Sequence, residues 1–187
     1  MKIATFNLNG LRARLGQLLE WLERKAPDTG CLQQLKTPDE RFPASELERA
    51  GYGALWRGQA AWNGVAILAR GEQPCTMRRA LPGFEADTHS RYLEVSVAGL
   101  LIATLYLLNG NPQPSPKFDY KLAWFDKLIE HAATMVNDSR PVVLAGDYNG
   151  VPTDDDIYPT RGGRHLGARP ATGERPCTDL DRIAMGE

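Results

Sequence analysis

A chain of 187 residues with 42% apolar residues and a formal charge of −1 is long enough for one hydrophobic core and lacks the bias of a disordered or collagenous sequence. No apolar run is long enough to cross a bilayer, which predicts no membrane association, and the N-terminal MKIATFN lacks the apolar core and cleavage pattern of a secretory signal. Three widely separated cysteines, Cys31, Cys75 and Cys177, match neither a disulfide scaffold nor a zinc pattern, so a reducing cytoplasm is the expected setting.

The charge is unevenly spread. Residues 1–80 carry 12 Lys/Arg against 8 Asp/Glu, and residues 81–187 carry 10 against 15. A local basic rim around an acidic, metal-binding centre is compatible with an anionic partner. No helix-turn-helix, zinc-finger or basic-zipper pattern is present, which argues against a sequence-specific DNA-binding module.

The run Lys2 to Phe6 reads as a short strand ending at Asn7-Leu8-Asn9-Gly10. From Leu11, apolar residues at Leu15, Leu18, Leu19 and Leu22 have the spacing of an amphipathic helix that Pro27 and Asp28 stop. Cys31 and Leu32 belong to a second strand that emerges at Gln33-Gln34, and Ser45 to Ala50 forms a brief helix before Gly51. Val65 to Leu68 reads as a buried strand. Tyr92 to Val97 and Leu100 to Leu108 are two strands joined tightly at Ala98-Gly99. After the Pro-rich turn 112–116, Leu122, Phe125, Leu128, Ile129 and Ala132 mark a second amphipathic helix. Pro141 then opens the strand Val142 to Leu144, which delivers Gly146-Asp147-Tyr148-Asn149 to its end. Mixed strands and helices, with hairpins as well as crossovers, predict an α/β sandwich of mixed or antiparallel sheets. Residues 150–187 hold six glycines and four prolines and no periodic element, the composition of a coil.

Polar residues gather at the predicted strand ends: Asn7, Gln34, Tyr106 with Asn109, and Asp147 with Asn149. Asp147 and Asn149 are two residues apart beyond an apolar strand, so extended backbone would project both to one side. Magnesium takes hard oxygen ligands and often only one or two carboxylates, completed by water and substrate phosphate. A turn in which both side chains bond the backbone is the alternative reading of the same pair.

Taken in order, these pieces resemble the exonuclease III/abasic-site endonuclease family, within the endonuclease/exonuclease/phosphatase superfamily. MKIATFNLNG is similar to its opening strand with the metal-site Asn, and CLQQLK to its CLQE-type motif. GQAAWNGVAIL resembles the strand that follows, YLLNG the Tyr-containing motif and GDYN the GDxN motif, with KFDYKLAWF matching between the last two. The resemblance covers residues 1–157, leaving 158–187 as an atypical Gly/Pro-rich tail. It implies a four-layer α/β sandwich and a hydrolase of DNA phosphodiesters, acting at 3′ ends or beside an abasic site on double-stranded DNA. It also implies Mg2+, with Mn2+ as a substitute.

By that resemblance Asn7, Gln34, Asp147 and Asn149 form the metal site, and Tyr106, Asp147 and Asn149 the catalytic set. Asp147 would activate water or assist the leaving group. Asn149 would stabilise phosphate charge and Tyr106 would donate to phosphate. Asn109, Arg91, Lys121, Trp62 and Asn63 are the substrate-side candidates; for Arg91 and Lys121 a solvated surface charge is the alternative. Trp124 is expected in the core, Cys31 as a buried, unreactive thiol, and His89, His131 and His165 outside any metal cluster.

Two departures from the pattern stand out. Gln34 is neutral where the family motif has Glu. The family's later Asp and terminal Asp-His pair have no counterpart in CTDLDRIAMGE, and Asp179 and Asp181 are not expected to replace them. The sandwich is therefore expected to be incomplete at its C-terminal end, with an open sheet edge suited to pairing with a second copy. A catalytically impaired DNA- or protein-binding remnant is one alternative function. A small-molecule phosphoesterase is another, since related folds include sugar and lipid phosphatases.

Overall fold

The computed structural model describes residues 1–85 and 87–150. It divides into two compact units. The first comprises Met1–Leu81, Glu85–Tyr106 and Ser139–Asp147; the described part of the second comprises Pro82–Phe84, Leu107–Asp138 and residues 148–150. The proposed tail 158–187, with His165, Cys177, Asp179 and Asp181, lies outside the described residues.

The first unit is a sandwich of two four-stranded sheets. One sheet has the order β1-β2-β4-β3, built from β1 (Ile3–Asn7), β2 (Thr29–Gln33), β3 (Tyr52–Arg57) and β4 (Val65–Arg70). The other has the order β5-β6-β7-β8, from β5 (Cys75–Arg78), β6 (Tyr92–Val97), β7 (Leu100–Tyr106) and β8 (Val142–Asp147). Strands β1 and β2 are parallel, as are β7 and β8, and the remaining pairs are antiparallel. The expected mixed-sheet sandwich is therefore present.

Strand alternation explains how the sheets stack. On β4, Val65, Ile67 and Ala69 enter the apolar layer between the sheets with Cys31, Leu93, Val95, Ile102 and Tyr106. Ala66 and Leu68, on the opposite face, join Leu18, Leu22, Leu32 and Leu47, which places α1 (Leu11–Lys25) and α2 (Ala44–Arg49) over that side. A strand covered on both faces reads as a continuous apolar run, which is why VAIL was visible as a buried strand. Helix α1 ends at Ala26, whose left-handed backbone returns its N–H to Leu22 O at 2.9 Å, and Pro27 prevents continuation. The β6–β7 connection is a two-residue hairpin with positive φ at Ala98 (49°) and Gly99 (76°), the pattern of a type I′ turn.

Strands β3 and β5 have no counterpart in the sequence reading. Both are edge strands. All four residues of β5 are exposed, and its pairing with β6 shifts register between Thr76 and Arg78, so no buried face stamps a period of two on its sequence.

In the second unit, α3 (Pro116–Met135) opens with Ser115 as N-cap, its Oγ accepting from Phe118 N at 3.2 Å, and Pro116 in the first turn. Its buried stripe runs through Phe118, Lys121, Trp124, Phe125, Leu128, Ala132 and Met135. Trp124 is core, as expected. Leu122 is exposed instead, because the buried stripe is centred one residue away, on Lys121. Among the described residues no helix is long and apolar enough to cross a membrane.

Gln33 places a polar amide inside the inter-sheet layer. Gln33 is 1% exposed, and its Nε2 lies 3.0 Å from both Thr5 Oγ1 and Thr104 Oγ1 and 3.1 Å from Cys31 O. It thereby joins β2 to its neighbour β1 and to β7 of the facing sheet. Substituting Gln33→Ala would empty a buried site and take from the buried Thr104 its amide partner across the layer, and we expect a loss of about 3 kcal/mol in urea unfolding. A loss under about 1 kcal/mol would refute this role. Beside it, burial pushes the Cys31 thiol up to about 12 from its ordinary 9, against a weaker opposing hydrogen bond from Thr104. The unfolded chain ionises first, so this stabilisation is complete below pH 9 and is lost as pH rises toward 12. Cys31→Ala should flatten the decline in stability between pH 9 and 10.5; parallel declines in both proteins would count against the assignment.

Candidate active site

The parallel pairs β1/β2 and β7/β8 set the geometry. Their registers match Asn7 with Gln33 and Tyr106 with Asp147, so in each sheet two neighbouring strands terminate together. Asn7 continues the inward alternation of Thr5, and Asp147 that of the core-packed Val143 and Ala145. Both side chains therefore emerge where the apolar layer ends. Asn7 Nδ2 donates to Asp147 Oδ2 at 2.6 Å, while Asn7 Oδ1 accepts from Asn9 N at 3.0 Å. With both amide atoms engaged, Asn7 holds the Asp147 carboxylate in one orientation.

Gln34 arrives differently. Strict alternation would send it to the helix side with Leu32, but its φ of 53° breaks the strand and turns the side chain across the sandwich. Its Nε2 donates to Tyr106 Oη. The phenol belongs to a side chain only 6% exposed, and the Arg91 guanidinium stands 5.6 Å from its ring centroid. Arg91 is itself 6% exposed, and its guanidinium Nη1 donates to Tyr106 O at 3.4 Å, so it is a buried cation rather than a solvated one. Two pairs, Asn7–Asp147 and Gln34–Tyr106, thus bridge the carboxyl ends of four strands, where ligand sites gather in α/β sheets.

The end of β8 is sterically fixed. A Cβ added at Gly146 would lie 2.2 Å from Leu105 O, so only glycine lets β8 run this close to β7 immediately before Asp147.

Trp62 and Asn63 lie in the loop between β3 and β4. Trp62 is exposed and Asn63 is buried, with Asn63 Nδ2 donating to Gln59 Oε1 at 2.9 Å. Lys36 was not singled out by any sequence signal, yet its Nζ lies 4.4 Å from the Trp62 ring centroid and 2.5 Å from Asn9 Oδ1. Gln33 was also passed over; its neighbour in the QQ pair drew the functional assignment, and the left-handed backbone at Gln34 separates their roles.

In the second unit, Lys121 is 6% exposed and donates to Asn149 O at 2.6 Å and Tyr148 O at 3.3 Å. The Asn149 backbone is left-handed, with φ 46°, and its Nδ2 donates to Leu107 O at 2.8 Å. Asn109 Oδ1 accepts from Asn111 N at 2.9 Å, an Asx turn. Tyr148 meets Phe125 edge to face at 6.4 Å.

Among the described residues, no three His, Cys, Asp or Glu side chains cluster as a metal site. His89 instead pairs with Asp87 at 2.5 Å, and the buried His131 lies beside Thr134.

The family model described as Endonuclease/Exonuclease/phosphatase family matches residues 4–184. Exodeoxyribonuclease III of Haemophilus influenzae is 34% identical over 162 residues, covering 84% of this chain and 60% of that protein. The 3′ phosphatase NExo from Neisseria, solved bound to a product DNA hairpin, is 37% identical with a TM-score of 0.80, covering 85% of this chain and 62% of that one. An AP endonuclease from Archaeoglobus fulgidus gives a TM-score of 0.85 at 29% identity, covering 99% of this chain and 70% of that one. The chain spans about 60% of the length of the first of these relatives. With its motifs in order and the sandwich formed, the chain belongs to the endonuclease/exonuclease/phosphatase family.

Proposed function

We propose that this chain carries the phosphate-binding and hydrolytic centre of a divalent-metal-dependent DNA phosphodiester hydrolase that acts at 3′ ends or beside abasic sites. The observation that supports it is the Asn7-oriented Asp147 carboxylate beside the Gln34–Tyr106 pair at the strand ends. A phosphodiester is already anionic, so attack needs donors placed where charge grows and a base to accept the proton of water. Asp147 is that base, or it assists the leaving group, and Asn7 fixes the direction of its oxygens. Tyr106 accepts from Gln34, and the family resemblance gives its phenol the role of donor to a phosphate oxygen. Arg91 adds positive charge beside Tyr106.

The donor set fits a metal ion of a particular kind. Gln34 offers its Oε1 as a hard oxygen, since its Nε2 is engaged by Tyr106, and Asp147 offers one carboxylate. That suits Mg2+ or Mn2+ completed by water and substrate phosphate, not an ion caged by protein. A bound divalent cation would neutralise charge at the phosphate.

Replacing Asp147→Asn keeps the shape of the Asn7 pair and removes the base. We expect cleavage of an abasic-site duplex with Mg2+ to fall at least about 100-fold. Undiminished cleavage would remove Asp147 from the mechanism.

The neutral Gln34 favours a second reading, in which the chain binds DNA and turns it over poorly. Gln34→Glu tests it. Metal affinity by calorimetry should rise at least about tenfold, and cleavage should rise with it. Unchanged metal affinity would show that position 34 does not face the cation. DNA binding without turnover in Mg2+ and Mn2+ would establish the second reading.

A further inference from the structure

Trp62 is 68% exposed, the most exposed large apolar side chain among the described residues. It is also strained: Ala61 and Trp62 are consecutive non-glycine residues with φ of 58° and 54°. A bulky side chain in that region costs on the order of 1–3 kcal/mol and persists only where the surroundings hold it. The surroundings here are well defined. Asn63 N donates to Ala61 O at 2.7 Å, and Gln59 Oε1 accepts from both Asn63 Nδ2 and Ser90 N at 2.9 Å. Lys36 N closes the turn on Asn63 O at 2.9 Å.

Core packing does not account for the indole, since most of it faces solvent. A cation does lie over it. Lys36 Nζ is 4.4 Å from the ring centroid and is pinned by Asn9 Oδ1 at 2.5 Å. From there the contacts run through Asn9 N to Asn7 Oδ1 at 3.0 Å and through Asn7 Nδ2 to Asp147 at 2.6 Å. The aromatic plane is therefore linked to the catalytic carboxylate by a short, continuous run of contacts. The Oδ1 of Asn63, beside Trp62 in the turn, is buried without a hydrogen-bond partner, an unfilled acceptor at the same place.

We propose that Trp62, backed by Lys36, is a stacking platform for one unpaired nucleobase next to the phosphodiester bound at Asp147. This rests on the nucleic-acid reading above and narrows it. A base inside a duplex has both faces covered by neighbours, whereas a frayed, overhanging or flipped base offers a free face to an aromatic ring. The Lys36 ammonium suits the phosphate of that nucleotide. The substrate class is therefore DNA with an unstacked nucleotide beside the scissile bond, and a small phosphoester would leave the platform unused.

The test is fluorescence anisotropy with the full chain in chelator, which prevents cleavage. The probes are a labelled DNA hairpin with a three-thymidine 3′ overhang and the same hairpin whose overhang carries tetrahydrofuran sugars in place of bases. The wild-type chain should bind the first at least about fivefold more tightly, the worth of one aromatic–base stack. Trp62→Ala should abolish that preference, and Trp62→Phe should keep most of it. Equal binding of the two hairpins by the wild-type chain, or a preference that survives Trp62→Ala, overturns the platform and leaves the hydrolase reading standing. No binding of either hairpin by the wild-type chain overturns both.

Discussion

The site depends on two sheets being held face to face in one register, and the buried amide of Gln33 is the polar contact that sets it. Apolar packing between the sheets is strong but tolerant of sliding, because dispersion and burial carry little direction. An amide with acceptors on β1, β2 and β7 is directional, and in a layer that excludes water a misplaced partner is costly. Once the registers are fixed, Asn7 and Asp147 come to hydrogen-bond distance at the rim of the same layer. The geometry of the candidate site is thus the last repeat of the core, with polar residues where the alternation reaches solvent.

Charge at the rim is kept low. The two bridging pairs contain one carboxylate, two amides and a phenol. A site with few fixed negative charges repels a phosphodiester less, at the expense of holding a cation less firmly by itself. Lys36 and Arg91 are each fixed by hydrogen bonds or ring contacts rather than left mobile. Ordered cations lose little entropy when an anion arrives.

Backbone strain is concentrated at the same end of the sandwich. Asn9, Gln34, Lys36, Ala61 and Trp62 all have positive φ. They lie after β1, after β2 and before β4, which the strand pairing brings together. Left-handed residues re-aim side chains that regular strands would send elsewhere, as at Gln34. Such conformations cost energy and are retained where a side chain has to point in a direction the strand does not supply.

The sequence by itself determined the mixed α/β sandwich, most of its strands and helices, and the family. Long apolar runs such as VAIL and LIATLY and the leucine spacing of α1 report burial directly, because burial is what imposes the period. The Asn7, Tyr106 and Asp147 positions were legible as polar residues at predicted strand ends. Tertiary structure alone decided which glutamine locks the sheets and which serves the site, since one left-handed residue reverses what parity predicts for Gln34. It alone revealed β3 and β5, whose edge positions leave little pattern in the sequence, and showed Lys121, a substrate-side candidate, to be buried and bonded to the 148–149 carbonyls. It alone set Lys36 over Trp62, because a contact between two loops has no periodicity for a sequence to record.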